Sequence, residues 1–164
     1  MIRIAQTSDW PQMQVIFAAA GKAAWAHILP PDFLATLTVS ERWRDAIEDP
    51  SQRVLIGDLD GIARGFAILR PSRDDDSTPS TGELHAFFTH PDVWGLGVGR
   101  LLLPSSVEHL REMGFEEATL WTGEQNHRPR AIYDRAGWKL DGCSRERVVG
   151  GGPLFELRYR IDLR

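Results

Sequence analysis

The sequence contains almost no cysteine and no long apolar run. Cys143 is the only cysteine among 164 residues, so no disulfide can form within the chain, and a reducing cytoplasm is the expected compartment. No apolar stretch approaches the roughly 18 residues that span a membrane. The first residues also lack the apolar segment of a secretory signal. We therefore expect a cytoplasmic protein without a membrane partner.

An excess of basic residues is also missing. The formal net charge is −4 at pH 7, which argues against a nucleic-acid partner held mainly through its phosphates. The histidines show no known ligand spacing, so no metal site is predicted. They are His27, His85, His90, His109 and His127. The remaining composition is that of an ordinary globular protein, and the length is most simply explained by one domain over 1–164.

The most informative stretch covers residues 83–103. An apolar run over 84–89 has the length and composition of a strand, and Pro91 ends it. Three glycines then alternate with other residues, and an apolar helical pattern begins directly after them. Glycines allow a backbone to approach a ligand closely, and a helix N-terminus adds partial positive charge. The stretch therefore predicts a phosphate-binding loop, formed by Trp94, Gly95, Leu96, Gly97, Val98 and Gly99.

The spacing of the glycines separates several kinds of phosphate loop. A Rossmann dinucleotide site requires G-x-G-x-x-G and an acidic residue roughly 20 positions later, whereas a Walker loop requires G-x-x-x-x-G-K-[ST]. Here the spacing is G-x-G-x-G and no lysine is near. The spacing and the chain length both argue against a nicotinamide-dependent oxidoreductase. A glycine-rich turn that only caps a helix is the simpler structural alternative.

The order of predicted elements indicates a mixed α/β layer. A strand is followed by a helical region, three strands, a helix, a strand, a helix and two strands, so helices should pack on a central sheet. Pro104 lies inside the helix after the glycines, where a kink or a local break is expected. Residues 72–81 include three adjacent aspartates and are expected to form a mobile solvated loop.

Two motifs resemble those of the GNAT superfamily of N-acetyltransferases. The glycine loop is similar to that family's acetyl-CoA loop, [Q/R]-x-x-G-x-[G/A], with Trp94 in place of Gln or Arg. The segment from Asn126 to Trp138 is similar to the family's N-x-x-A-x-x-[F/L]-Y-x-x-x-G-[F/W], with Pro129 in place of Ala. The two motifs occur in the family's order, which is far more specific than either alone. The resemblance covers the chain from about residue 53 onward.

The resemblance implies a fold and a function. The fold would be a GNAT-like α/β (α+β) one, with a mixed, mostly antiparallel central sheet of about seven strands and helices on both faces. Residues 83–138 would bind acetyl-CoA, and residues 30–52 would form helices on the acceptor side. The activity would be direct transfer of an acetyl group from acetyl-CoA to a primary amine of a small molecule or peptide, without a metal. A non-catalytic acyl-CoA sensor is the alternative, and a homodimer is left open.

The resemblance also implies roles for individual residues. An alkylamine with a pKa near 10.4 is mostly protonated at pH 7, so attack on a thioester requires a base. Glu83 occupies the family's base position, and His85, on the same strand face, is the alternative or a second member of a relay. Tyr133 occupies the position of the acid that protonates the departing thiolate.

Further residues are expected to contact the two substrates. The backbone N–H groups near Phe88 and Thr89 would bind the thioester and the pantetheine arm, and Asn126 would cap a helix and touch that arm. Arg100 and Arg130 could offset phosphate charge. Acceptor contacts are expected from Trp25, His27 and Phe33.

Overall fold

The computed structural model describes residues 1–164 and contains one seven-stranded sheet. The strands are β1 Ile2–Ile4, β2 Arg53–Leu59, β3 Ile62–Pro71, β4 Thr81–Thr89, β5 Glu117–Gly123, β6 Lys139–Val149 and β7 Gly152–Asp162. The helices are α1 Trp10–Trp25, α2 Pro31–Ala35, α3 Glu41–Glu48, α4 Val98–Glu112 and α5 His127–Arg135. This order matches the predicted one.

The sheet is mostly antiparallel, with the strand order β1-β2-β3-β4-β5-β7-β6. The pair β4–β5 alone is parallel. One apolar core lies between the sheet and α4 with α5, and it includes Leu102, Tyr133 and Trp138. The other lies between the sheet and α1 with α3, and it includes Met13 and Phe66. The expected mixed sheet with helices on both faces is therefore confirmed.

Helix α4 differs from the prediction because Pro104 does not break it. The helix continues from Val98 to Glu112. Proline removes one backbone hydrogen bond, but Leu102 and Leu103, which directly precede Pro104, are fully or almost fully buried. Their packing against the sheet outweighs the loss, so a local break is excluded, while a kink stays a prediction.

The aspartates of residues 72–81 also differ from the prediction. Asp74 accepts hydrogen bonds from Trp121 and Arg158, both at 3.0 Å, and its side chain is only 15% exposed. Asp76 binds the same Arg158 at 2.6 Å. The expectation of a solvated loop is therefore wrong for Asp74. The sequence did not indicate this, because its partners Arg158 and Trp121 lie far along the chain.

None of the helices is both long and apolar enough to cross a membrane.

Candidate active site

The sheet is split between its two central parallel strands. Residues Thr81–Glu83 of β4 pair with Glu117–Thr119 of β5, and beyond these residues the two strands no longer pair, although β4 continues to Thr89 and β5 to Gly123. We call β4 with β1–β3 the β4 arm, and β5 with β6 and β7 the β5 arm. The edge of β4 that faces the split can pair with an extended ligand, as in strand addition.

The glycine loop lies at the end of the β4 arm. Gly95 and Gly97 have φ values of +89° and +95°, which favour glycine strongly. A Cβ added at either position would meet no atom within 4 Å, so the space beside the loop is open. Gly97 is the N-cap of α4, and the helix therefore directs its positive end toward this space. Arg100 is exposed in the first turn of the same helix.

A β-bulge places two ionisable residues of β4 together. The pairing register of β3 and β4 shifts between Ile68 and Leu69, so that Leu84 and Ala86 have partners and His85 between them has none. Leu84 consequently faces the core under α4, whereas Ala86 faces the core under α1. His85 Nδ1 lies 3.4 Å from Glu83 Oε1. The expectation that these two side chains lie on one face is therefore met.

A hydrogen-bond chain fixes the orientation of His85. The indole N–H of Trp43 on α3 donates to His85 Nε2 at 3.2 Å. An indole nitrogen can only donate, so Nε2 is an acceptor and the ring proton lies on Nδ1. His85 therefore donates to Glu83 Oε1, while Arg70 Nε donates to Glu83 Oε2 at 2.7 Å. Both carboxylate oxygens of Glu83 thus have a donor within the protein.

Glu83 is ionised at neutral pH. Its side chain is 8% exposed, and this burial by itself would raise the pKa of the carboxyl group. The hydrogen bonds from His85 and Arg70, together with the positive charge of Arg70, outweigh burial and lower the pKa below its ordinary value. Glu83 is accordingly a buried anion and a weak base.

Tyr133 lies on the opposite face of the sheet. Its ring belongs to the core under α4 and is near one ring from each arm, with centroid distances of 6.2 Å to Phe87 and 5.9 Å to Tyr159. Burial raises the pKa of Tyr133, and its neighbour Tyr159 adds to this. Its hydroxyl forms no hydrogen bond with a protein group. Tyr133 therefore carries its proton at neutral pH with no protein acceptor for it, and the raised pKa makes it a weaker acid than a free tyrosine.

Asn126 and Arg130 contact parts of the protein that the sequence did not indicate. Asn126 is the N-cap residue of α5, as expected, but its side chain forms no capping hydrogen bond. Assigned by its neighbours, its amide donates to Ala24 O and accepts from Trp25 Nε1, each at 3.3 Å. Arg130 donates to the Glu124 carbonyl at 2.6 Å and to the Tyr159 hydroxyl at 3.3 Å. Asn126 therefore links α5 to the end of α1.

The three residues predicted to bind the acceptor all contact the β5 arm or the segment after it. Besides the contact of Trp25 with Asn126, His27 Nε2 lies 3.0 Å from the Gln125 carbonyl oxygen. The Phe33 ring lies against Gly150, where an added Cβ would come within 2.7 Å of it. The segment from the end of α1 through α2 thus lies across the split and is held on its far side.

An aromatic cluster adjoins Glu83 and His85 on the α1 face. Phe17 has edge-on contacts with Trp25, Trp43 and Phe88 at centroid distances of 5.9, 5.3 and 5.1 Å. Because the Phe88 side chain belongs to this cluster, only the backbone groups of Phe88 remain to contact a ligand in the split. The Thr89 carbonyl accepts a hydrogen bond from Trp94 Nε1 at 3.0 Å.

Sequence reasoning missed Arg70 and did not assign a role to Trp43. Arg70 is directly opposite Glu83 in the β3–β4 ladder, but two register shifts along β3 conceal this pairing from a simple count. Trp43 lies within residues 30–52, the expected acceptor side, but its hydrogen bond to His85 depends on how α3 packs. No sequence signal indicates that bond.

The chain was compared with protein families and known proteins. Residues 12–138 match the family model described as the acetyltransferase (GNAT) family. A mycothiol acetyltransferase from Propionibacterium freudenreichii subsp. shermanii is 30% identical over 142 residues, which are 87% of this chain and 44% of that protein. The chain thus spans less than half of that relative's length. The uncharacterized N-acetyltransferase YuaI from Bacillus subtilis is 28% identical over a region that covers 82% of this chain and 77% of the YuaI chain.

Solved structures share the fold at low sequence identity. The ribosomal-protein-alanine N-acetyltransferase from Brucella melitensis has a TM-score of 0.80 and 22% identity, covering 99% of both chains. The PaiA N-acetyltransferase from Thermoplasma acidophilum, in complex with coenzyme A, has a TM-score of 0.78 and 17% identity, covering 96% of both chains. These likenesses support the architecture described above.

Proposed function

Because this chain belongs to the GNAT family of acetyltransferases, we propose that it transfers an acetyl group from acetyl-CoA directly to a primary amine. The single observation that carries the proposal is the split of the sheet directly beside the glycine loop. The diphosphate would bind at the N-terminus of α4, near Gly95 and Gly97. The pantetheine arm would then enter the split along the free edge of β4, with its thioester between the arms.

The two faces of the split suit the two halves of the reaction. Glu83 is associated with the α1 face through His85 and Trp43, whereas Tyr133 belongs to the α4 face. An amine entering from the α1 face would attack the thioester carbonyl, and backbone N–H groups near Phe88 and Thr89 would stabilise the oxyanion. Tyr133 would protonate the coenzyme A thiolate as it leaves.

The lowered pKa of Glu83 defines its role. A carboxylate of low pKa does not readily take a proton from an ammonium group directly, because the difference in pKa opposes the transfer. We assign Glu83 the part of a fixed anion that attracts the amine. The neutral fraction of the amine attacks, and once the C–N bond has formed and made the nitrogen far more acidic, its proton passes through a bridging water to the Glu83 carboxylate. His85, whose ring is oriented by Trp43, positions this carboxylate.

The acceptor is proposed at the level of a primary amine on a small molecule or a peptide. Relatives include a protein named mycothiol acetyltransferase and one named ribosomal-protein-alanine N-acetyltransferase, so both kinds of acceptor occur among similar proteins. We propose that residues 30–52 form the acceptor side of a single domain over 1–164, that residues 83–138 form the coenzyme core, and that the protein acts in the cytoplasm without a metal.

Binding and turnover are tested separately. Acetyl-CoA and coenzyme A, but not NAD, should raise the melting temperature, because a ligand that binds only the folded state stabilises it. A panel of alkylamines and peptides is then assayed for acetylated product, with Glu83→Gln and Tyr133→Phe as variants. Stabilisation by NAD alone would refute the coenzyme assignment. Coenzyme A binding with no product from any acceptor would favour the sensor and refute the enzyme.

A further inference from the structure

A stacked pair of side chains bridges the two arms at the open end of the split. The guanidinium carbon of Arg128 lies 4.3 Å from the centroid of the Trp94 ring. Trp94 belongs to the loop that follows β4, and Arg128 is in the first turn of α5, which follows β5. The pair therefore connects the segments that leave the split on either side.

Trp94 is fixed and has no donor left for a ligand. Its indole N–H donates to the Thr89 carbonyl at the end of β4, at 3.0 Å. The ring is thereby anchored on the β4 arm and presents a face to Arg128. An aromatic face attracts a guanidinium by about 0.5–1 kcal/mol at exposed sites, so the stacked orientation of Arg128 is favoured over others without an acidic partner.

The donors of Arg128 remain free. Its side chain is exposed and forms no hydrogen bond or ion pair with another protein group. A guanidinium carries five N–H donors around its edge, and stacking uses only its face. An oriented cation without a protein anion therefore lies beside the open space of the glycine loop, where Gly95 and Gly97 leave room within 4 Å.

We propose that Arg128, oriented by Trp94, binds the diphosphate of acetyl-CoA. Arginine matches phosphate oxygens through paired N–H donors, and the indole of Trp94 cannot supply such a contact because Thr89 occupies it. The guanidinium and the N-terminus of α4 hold the diphosphate from the two arms. This inference rests on the proposed function, and it assigns to α5 a contact that the glycine loop itself lacks.

The test measures coenzyme A affinity by isothermal titration calorimetry. Arg128→Ala should weaken binding by roughly 10- to 100-fold, since hydrogen bonds between charged groups are strong. The matched control is Arg135→Ala, which removes the same charge from an exposed position at the other end of α5 and should leave the affinity within about twofold because the charge is distant and screened. Equal losses in both variants would overturn the inference in favour of net charge.

Two further measurements separate the diphosphate from other contacts. Dephospho-coenzyme A lacks the 3′-phosphate and keeps the diphosphate, so Arg128→Ala should weaken it by the same factor. A loss confined to coenzyme A would overturn the assignment. Trp94→Phe keeps an aromatic face and should retain most of the affinity, whereas Trp94→Leu should weaken binding, with little further loss on adding Arg128→Ala. Unfolding curves confirm that each variant is folded.

The result for the unsubstituted protein distinguishes the two proposals. If it binds neither acetyl-CoA nor coenzyme A, the proposed function fails and this inference with it. If it binds coenzyme A and Arg128→Ala binds equally well, this inference alone is refuted.

Discussion

Replacing Arg70 by methionine isolates the buried carboxylate of Glu83. The two side chains are 14% and 8% exposed, and Arg70 Nε lies 2.7 Å from Glu83 Oε2. Removing one partner of a buried ion pair costs about 3–5 kcal/mol because the other charge is left uncompensated. For a chain of this size, that corresponds to a fall in melting temperature of roughly 6–20 °C, at 2–4 °C per kcal/mol.

The effect of Glu83 ionisation on how stability depends on pH should change sign in Arg70→Met. In the unsubstituted protein the pKa of Glu83 is lowered, so its contribution to stability is present above the ordinary value of about 4.3 and is lost as the pH falls through the lowered pKa. Without Arg70, only His85 opposes the effect of burial, and the folded-state pKa of Glu83 rises. The deficit of Arg70→Met should therefore be largest at neutral pH and shrink as the pH falls toward 4.

The assay is urea unfolding from pH 4 to pH 8, followed by intrinsic fluorescence. Arg73→Met is the matched control, because Arg73 is exposed just after the end of β3, the strand that contains Arg70, and should change stability by no more than about 0.5 kcal/mol. The double variant Arg70→Met/Glu83→Met should recover much of the loss, since apolar residues can replace a buried pair. A deficit below about 1 kcal/mol at pH 7, or one that grows in acid, would refute the reasoning.

Three other substitutions test separate parts of the structure. Tyr133→Phe should lower kcat by roughly 10²- to 10⁴-fold with little change in unfolding free energy, and an unchanged kcat would remove Tyr133 as the acid. Gly97→Ala should cost about 1–3 kcal/mol in urea unfolding because its φ is positive, and coenzyme A affinity measured by calorimetry should fall with it. Arg158→Met should cost about 3–5 kcal/mol, since its side chain is 4% exposed and binds Asp141 at 2.7 Å. The Arg158 hydrogen bond lowers the pKa of Asp76 to about 2. The stability that this ion pair gives the unsubstituted protein should therefore be lost between about pH 4 and pH 2. If the free energy of unfolding fell equally steeply over this range in the unsubstituted protein and in Arg158→Met, the prediction would be contradicted.

The sequence predicted the elements that depend on neighbouring residues. Alternating glycines marked a loop in which Gly95 and Gly97 have positive φ and which leads directly into α4. Asp60 and Gly61, a residue pair typical of hairpin turns, join β2 to β3, and both have positive φ. These features follow from local backbone preferences. The order of strands and helices, together with two separated motifs, then sufficed for the family.

The sequence did not predict contacts that join distant segments. Arg158 orders Asp74 from 84 positions away, and Trp43 reaches His85 across 42 positions. Asn126 has the right residue type for a helix cap, but α1 offers its side chain other partners. Such contacts depend on packing between elements, which a local pattern does not contain. The assignments of base, acid and coenzyme contacts remain predictions for the experiments above.

The unpaired His85 has a consequence for how β4 can evolve. In a regular strand, odd and even positions always face opposite sides, but one additional residue reverses this parity for everything after it. A regular β4 that kept His85 in the ladder would turn Phe87 toward the α1 face and Phe88 toward the α4 face, whereas deleting His85 would leave both side chains where they are. An alignment of β4 with a strand that lacks the bulge therefore needs a single gap here, because without it side chains on opposite faces of the sheet would be equated.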